Sequence, residues 1–278
     1  MASKPSTLEP PVLVLTGAGI SAESGVPTFR GEDGLWRRYA PEQLATPEAF
    51  ARDPRLVWEW YAWRRERVAA CEPNAAHRVL VEMEDALEAG RGSRGSPAAG
   101  SSGQASGLTE RGSRFGDRAS GSRAPEAGFT LVTQNVDGLH EAAGSRNVLR
   151  LHGSIWRLRC TREGRSFEDR RVPLPELPPV CPECGALLRP DVVWFGERLD
   201  PEVIGVAFHA AEESATALVI GTSGLVQPAA SLPMIALRSG AQVIEVNPEP
   251  TPLSPHANAV LRGPAAVDLP RWWRELRG

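Results

Sequence analysis

The side chains best suited to chemistry sit in short strings directly after apolar runs. His152 follows Val148-Leu149-Arg150-Leu151, and a neutral imidazole with a pKa near ~6.5 can accept a proton at neutral pH. Taken alone, Leu151-His152-Gly153 equally describes a histidine hydrogen-bonded at a strand–loop junction. Asn135 and Asp137 stand two residues apart in Thr133-Gln134-Asn135-Val136-Asp137. Nearer the start, Thr16-Gly17-Ala18-Gly19-Ile20-Ser21-Ala22 matches G-x-G-x-x-G/A after Val12-Leu13-Val14-Leu15. Glycines in that pattern let backbone N–H groups approach a pyrophosphate at a helix N-terminus, although glycine turns also serve purely steric ends. A conventional hydride-transfer domain would close a second strand with Asp or Glu about 20 residues on. Here that region reads Pro27-Thr28-Phe29-Arg30-Gly31-Glu32-Asp33-Gly34-Leu35-Trp36, a loop, and a simple dehydrogenase is disfavoured.

The elements that must hold these residues alternate between strand and helix. Besides the runs already named, Thr130-Leu131-Val132-Thr133, Ala217-Leu218-Val219-Ile220 and Gln242-Val243-Ile244-Glu245-Val246 have the length of buried strands. Helical patterns occupy 48–70, 73–89 (with Asn74 as a cap) and 202–214. The alternation predicts an α/β fold with a Rossmann-like, mostly parallel sheet and ligands at the carboxyl ends of its strands. Residues 36–89 read as a helical module. Residues 153–192, with their Pro- and Cys-containing loops, read as a small inserted module. Residues 90–128, dominated by Gly, Ser, Ala and Arg, cannot bury enough surface to offset their ordering entropy and read as a disordered insertion. The rest of 1–278 reads as one Rossmann-like domain around them.

Composition narrows the class. With 41% hydrophobic residues and a formal net charge of −3, the chain can build a sizeable core and has no overall electrostatic grip on nucleic acid. No run of about 18 apolar residues predicts a membrane span. Four cysteines and no apolar leader in Met1-Ala2-Ser3-Lys4-Pro5 predict a reducing, cytoplasmic setting. The composition suits a bacterial cytoplasm and leaves a mitochondrial form open. The oligomeric state stays open as well.

The longer string Gly17-Ala18-Gly19-Ile20-Ser21-Ala22-Glu23-Ser24-Gly25-Val26-Pro27-Thr28-Phe29-Arg30 resembles the NAD-binding signature of the sirtuins, NAD-dependent protein lysine deacylases. Further blocks follow in the family's order: Thr133-Gln134-Asn135-Val136-Asp137-Gly138-Leu139-His140, Leu151-His152-Gly153-Ser154, Val193-Trp194-Phe195-Gly196-Glu197, Gly221-Thr222-Ser223 and Val246-Asn247. The resemblance covers nearly the whole chain outside 90–128. It implies NAD as co-substrate and acyl-lysine proteins or peptides as partners. The acyl-lysine oxygen would attack C1′ of the nicotinamide ribose, nicotinamide would leave, and an alkylimidate would collapse to lysine and O-acyl-ADP-ribose. In this scheme His152 is the base, with Asn135 and Asp137 orienting carboxamide and ribose. The NAD contacts implied are Gly17, Ala18, Gly19, Ile20, Ala22, Glu23, Phe29, Arg30, Trp36 and Gln134, then Gly221, Thr222, Ser223, Asn247 and Ala265. Arg30 would use its planar fork on phosphate or ribose oxygens. Val193, Phe195, Gly196 and Glu197 on one side, and Gly224 and Leu225 on the other, would flank a substrate peptide lying as an added strand.

Tyr61 and Arg64 fall at i and i+3 in the helical stretch around Trp58-Glu59-Trp60-Tyr61-Ala62-Trp63-Arg64-Arg65, hence on one face. In the sirtuin branch that removes succinyl, malonyl and glutaryl groups, a Tyr-x-x-Arg pair reads the distal carboxylate. Each charge-assisted hydrogen bond to that carboxylate is worth about 1.5–3 kcal/mol. The contrary expectation is that Arg64, Arg65 and Arg67 form a solvated basic face. The family's small module, which the resemblance places at 153–192 as a zinc-ribbon-like unit, usually holds zinc with two Cys-x-x-Cys pairs. Here the second stands as Cys181-Pro182-Glu183-Cys184, and the first reads Cys160-Thr161-Arg162-Glu163. Cys160, Cys181, Cys184 and Glu163 could complete a four-ligand site, or the module has lost its metal and carries reduced thiols. Two other activities compete with acidic deacylation: NAD-dependent ADP-ribosyl transfer to protein, and non-catalytic NAD sensing.

Overall fold

The structure is a computed structural model that describes residues 7–27, 41–92 and 128–278. Phe29, Arg30, Trp36 and most of the 90–128 insertion lie outside those residues. The described chain runs β1 (Val12–Thr16), α1 (Pro41–Leu44), α2 (Pro47–Arg52), α3 (Pro54–Ala69), α4 (Ala75–Gly92), β2 (Phe129–Thr133), α5 (Leu139–Ala143) and β3 (Val148–Arg150). It continues through β4 (Gly153–Cys160), β5 (Ser166–Glu168), β6 (Leu188–Val192), α6 (Pro201–Glu213), β7 (Thr216–Ile220), α7 (Leu232–Arg238), β8 (Gln242–Val246), β9 (Ala259–Leu261) and α8 (Ala265–Arg277).

Six strands pair in the order β3-β2-β1-β7-β8-β9, all in parallel. Every residue of β1, β2 and β7 is buried. Strands covered on both faces show this pattern, and it is why they read as unbroken apolar runs. On one face Val12, Val14 and Leu131 pack with α4 and α8 through Leu80, Met83 and Trp272. On the other, Leu13, Leu15 and Val219 meet α6 and α7 through Ala207, Ala211 and Leu232. Strand order reverses between β1 and β7, and the crevice above such a reversal is where this architecture binds ligands.

A second core joins a three-stranded antiparallel sheet, β5-β4-β6, to the helices α1 to α3. Trp58, Trp60 and Tyr61 of α3 pack there with Ile155, Trp156, Leu158 and Trp194. The helix expected over 48–70 is two helices, because Thr46-Pro47 and Asp53-Pro54 are both start signals. Thr46 Oγ1 accepts from Ala49 N at 3.1 Å and Asp53 Oδ1 from Leu56 N at 2.9 Å. Asn74 does accept at the head of α4, from Ala76 N at 2.9 Å. No helix of the described residues is long and apolar enough to cross a membrane.

The turns ending β1 and β7 interlock. Gly17 N–H donates to Ile220 O at 3.0 Å and Gly19 N–H to Gly221 O at 2.8 Å. Gly221 has φ of +60°, and a Cβ there would lie 2.3 Å from Ile20 N. Replacing Gly221 with alanine is therefore expected to cost at least about 3 kcal/mol in strain and overpacking. Urea denaturation would register it as a lower midpoint.

Candidate active site

The turn leaving β2 is bound from below. Asn135 Nδ2 donates to Gly17 O at 3.1 Å and to Ser21 Oγ at 3.3 Å, and its N–H meets Thr133 Oγ1 at 3.0 Å. Asp137 Oδ2 accepts from Ser21 Oγ at 2.8 Å and Oδ1 from Leu139 N at 2.9 Å. Burial pushes the Asp137 carboxyl upward, while the Leu139 N–H, the Ser21 hydroxyl and the Arg64 charge oppose the shift.

Two residues that the sequence reading did not assign to the site complete this cluster. Asn74 N–H donates to His77 Nδ1 at 3.3 Å, so the ring proton belongs on Nε2, which faces Ser21 Oγ at 3.5 Å. Ser21 thus links His77 to Asp137. The fully buried His77 has its pKa pushed down to about 3, chiefly by burial and then by the His140 charge. Burial alone takes His140 down to about 4. The two rings lie 4.9 Å apart, both neutral at neutral pH. His77 follows the Pro73-Asn74 helix start, but no feature of the sequence says that this helix meets the Ser21 turn.

His152 stands beside this turn. Its Nδ1 is 3.0 Å from Gln134 O, which assigns the proton to Nδ1 and leaves Nε2 as the basic nitrogen. Burial lowers its pKa below the usual histidine value, against the pull of that hydrogen bond. Gln134 Nε2 reaches across the crevice to Thr222 Oγ1 at 3.0 Å, and Asn247 Nδ2 donates to Thr222 O at 2.8 Å. The structure thus brings Gln134, Gly221, Thr222, Ser223 and Asn247 to the carboxyl ends of β2, β7 and β8. Glu23 Oε2 accepts from Ala266 N at 3.3 Å, bringing the short helical turn of Ala18, Gly19, Ile20 and Ala22 against the head of α8 beside Ala265. Gly17 and Gly19 do not offer their N–H groups to this crevice. Both are bonded to β7, so these glycines allow two backbones to meet rather than a backbone to meet phosphate. A Cβ at Gly17 or Gly19 would lie within 3 Å of Gly221 backbone atoms, so the two turns close on each other only because all three residues are glycine.

A cleft opens beside Ala18, Asn135 and Asp137, with Arg64 in its wall. The expectation of a solvated arginine face fails for two of its three members. Arg64 is 9% exposed and Arg65 1%, while Arg67 is exposed. What removes Arg64 from water is aromatic: its guanidinium lies 4.8 Å from the Trp60 ring and 5.4 Å from that of Tyr61. Tyr61 is buried, and its hydroxyl accepts from Trp194 Nε1 at 2.9 Å.

On the neighbouring surface, Phe195 and Leu225 are large apolar side chains left exposed. Val193 N–H donates to His152 O at 3.0 Å, which ties this segment to the histidine. Gly196 and Gly224 take positive φ at 86° and 65° and shape the two edges. Glu197 is bound internally, accepting from Arg189 Nη1 at 2.5 Å, Arg189 Nη2 at 2.8 Å and Trp194 N at 2.8 Å. These three bonds brace the segment from within.

The antiparallel module gathers Cys160, Cys181 and Cys184 with all three Sγ atoms within 4.8 Å of one another. Tetrahedral zinc with Zn–S near ~2.3 Å places sulfurs about 3.8 Å apart, so the triad fits the metal. Glu163 is not brought in. The turn closed by Gly164 N–H to Cys160 O aims the Glu163 N–H at Cys160 Sγ, 3.5 Å away, and leaves its side chain exposed. Purified protein is expected to hold close to one equivalent of zinc by elemental analysis. Less than about a tenth of an equivalent would show that the thiols have lost the metal.

A doubly wound sheet with convergent polar groups above its switch point is the architecture of a nucleotide-binding α/β enzyme. Residues 17–91 and 123–228 match the model of the Sir2 family, and the chain belongs to that family. An NAD-dependent protein deacylase of Aquifex aeolicus is 45% identical over 266 residues, 96% of this chain and 95% of that protein. One of Aeropyrum pernix is 51% identical over 250 residues, covering 90% and 86%. Among solved structures, a Sir2 homologue–NAD complex is 45% identical with a TM-score of 0.77, covering 96% of this chain and 89% of that one.

Proposed function

We propose that this protein removes succinyl, malonyl and glutaryl groups from lysine side chains, and acetyl groups more weakly. The coarser part of that statement follows from family: it is an NAD-dependent protein deacylase. The finer part is supported by one observation, the burial of Arg64 beside Tyr61 in the wall of the cleft that also holds Asn135 and Asp137. A guanidinium there attracts a carboxylate at the far end of an acyl chain, and an acetyl group leaves it without that partner.

NAD supplies the electrophilic ribose carbon. Asn135 and Asp137 would hold the nicotinamide side of it, with Ser21 and His77 fixing Asp137 from behind. His152 Nε2 would take a proton from a ribose hydroxyl. Thr222, Ser223 and Asn247 would hold the adenosine side, and a peptide would lie between the exposed Phe195 and Leu225. The deciding assay compares acetyl-, succinyl- and malonyl-lysine peptides with and without NAD. Succinyl- and malonyl-lysine are expected to be cut faster than acetyl-lysine, with O-acyl-ADP-ribose as product. An ADP-ribosylated acceptor protein in place of O-acyl-ADP-ribose would support transfer instead.

A further inference from the structure

Arg65 follows Arg64 directly in α3 but serves the opposite neighbour. Its guanidinium donates to three main-chain carbonyls on two segments: Nη1 to Ile155 O at 2.6 Å, Nη2 to Asp169 O at 2.6 Å and to Arg171 O at 3.1 Å. It lies 5.0 Å from the Trp156 ring, and the Asp169 carboxylate is 3.8 Å away. A cation withdrawn this far from water, and bonded mostly to backbone oxygens, ties segments together rather than neutralising a surface acid.

The residues it grips also hold the polar turn after β2. Ile155 N–H donates to Val136 O at 3.0 Å, and Trp156 Nε1 donates to Asp137 O at 2.5 Å. On α3 itself, Trp58 Nε1 donates to Leu188 O at 2.7 Å. Trp58 and Arg65 are seven residues apart, about 10.5 Å along a helix, and Tyr61 and Arg64 lie between them. The acyl-reading pair is thus carried on a helix pinned on either side of it, at Trp58 and at Arg65, to the module that braces Asn135 and Asp137.

We propose that Arg65 is a positioning residue for acyl recognition: it fixes the depth and rotation of Arg64 relative to the turn bearing Asn135 and Asp137. The proposal rests on the acidic-acyl reading above. Arginine suits the task because its planar fork spans acceptors on two segments, which a lysine ammonium at a single point cannot. Alanine would leave three buried carbonyls unpaired and threaten folding, so the test uses Arg65→Lys and the uncharged Arg65→Gln.

Either variant is expected to raise KM for a succinyl-lysine peptide about tenfold, because a shift on the ångström scale weakens the carboxylate contact. Turnover at saturation and KM for an acetyl-lysine peptide should each change by less than about threefold. With Arg64→Met already in place, Arg65→Lys should alter the succinyl-to-acetyl ratio by less than about twofold, since the residue acts through Arg64. Equal losses on both peptides that track a fall in melting temperature would overturn the proposal, as would an unchanged succinyl KM. A full effect in the Arg64→Met background, or two variants that do not fold, would overturn it equally. The acyl reading fails separately and without any variant, when the unaltered protein cuts acetyl-lysine and leaves succinyl-lysine intact.

Discussion

Replacing His152 with alanine is expected to lower kcat for deacylation by about 10²–10⁴-fold, the usual contribution of a placed general base. The imidazole is set for that role by the Gln134 carbonyl, which holds the proton on Nδ1 and turns Nε2 outward. Binding should survive, because the side chains proposed to face the nucleotide hold one another without the imidazole: Gln134 Nε2 donates to Thr222 Oγ1 and Asn247 Nδ2 to Thr222 O. Isothermal titration with ADP-ribose should therefore give a dissociation constant within about threefold of the unaltered protein. The pH dependence follows from sign. Burial lowers the His152 pKa, so the neutral, active form persists below the ordinary value of 6.5 and is lost only as pH falls through the lowered one. The acid limb of kcat/KM should lie below pH 6.5 and vanish in the alanine variant. An acid limb that survives the substitution would assign the titration to another group.

Replacing Arg64 with methionine carries the second large effect. Methionine fills similar space against Trp60 and Tyr61 and removes the charge, so desuccinylation should fall by about 10–100-fold in kcat/KM, the worth of one charge-assisted bond. Deacetylation should fall by no more than about threefold, since an acetyl group offers the guanidinium nothing to bind. Removing the cation also relieves a desolvation that pushes its own pKa down, so the melting temperature should hold or rise. Parallel loss of both activities would mark Arg64 as a packing residue.

The large sheet was legible because its central strands β1, β2 and β7 are buried on both faces, which leaves unbroken apolar runs. The antiparallel module was legible only as a change of character: β4 alternates burial irregularly, and its pairing with β6 shifts register between Ser154 and Leu158. β9 is too short, at three residues, to stand out, and α8 carries Pro270 inside it. The site strings were legible by resemblance, but their partners were not. Tyr61 and Arg64 announced themselves by spacing, whereas burial of Arg64 depends on two aromatic rings turned toward it. Arg65 reads as one more surface arginine until the carbonyls of Ile155, Asp169 and Arg171 are seen around it. Glu163 shows the converse, a residue at the right spacing whose exposed side chain is not gathered with the thiols.

The paired glycine turns after β1 and β7 bear on how a nucleotide is received. Each holds the other's backbone in place, so residues around Gly17 and Gly221 already occupy one conformation before anything arrives. Ordering a free loop opposes binding by about 1–2 kcal/mol per residue, and that opposition is absent along this side of the crevice. Along this side of the crevice, selectivity among nucleotides then comes from the groups that touch them, as in a mould cast before the metal is poured.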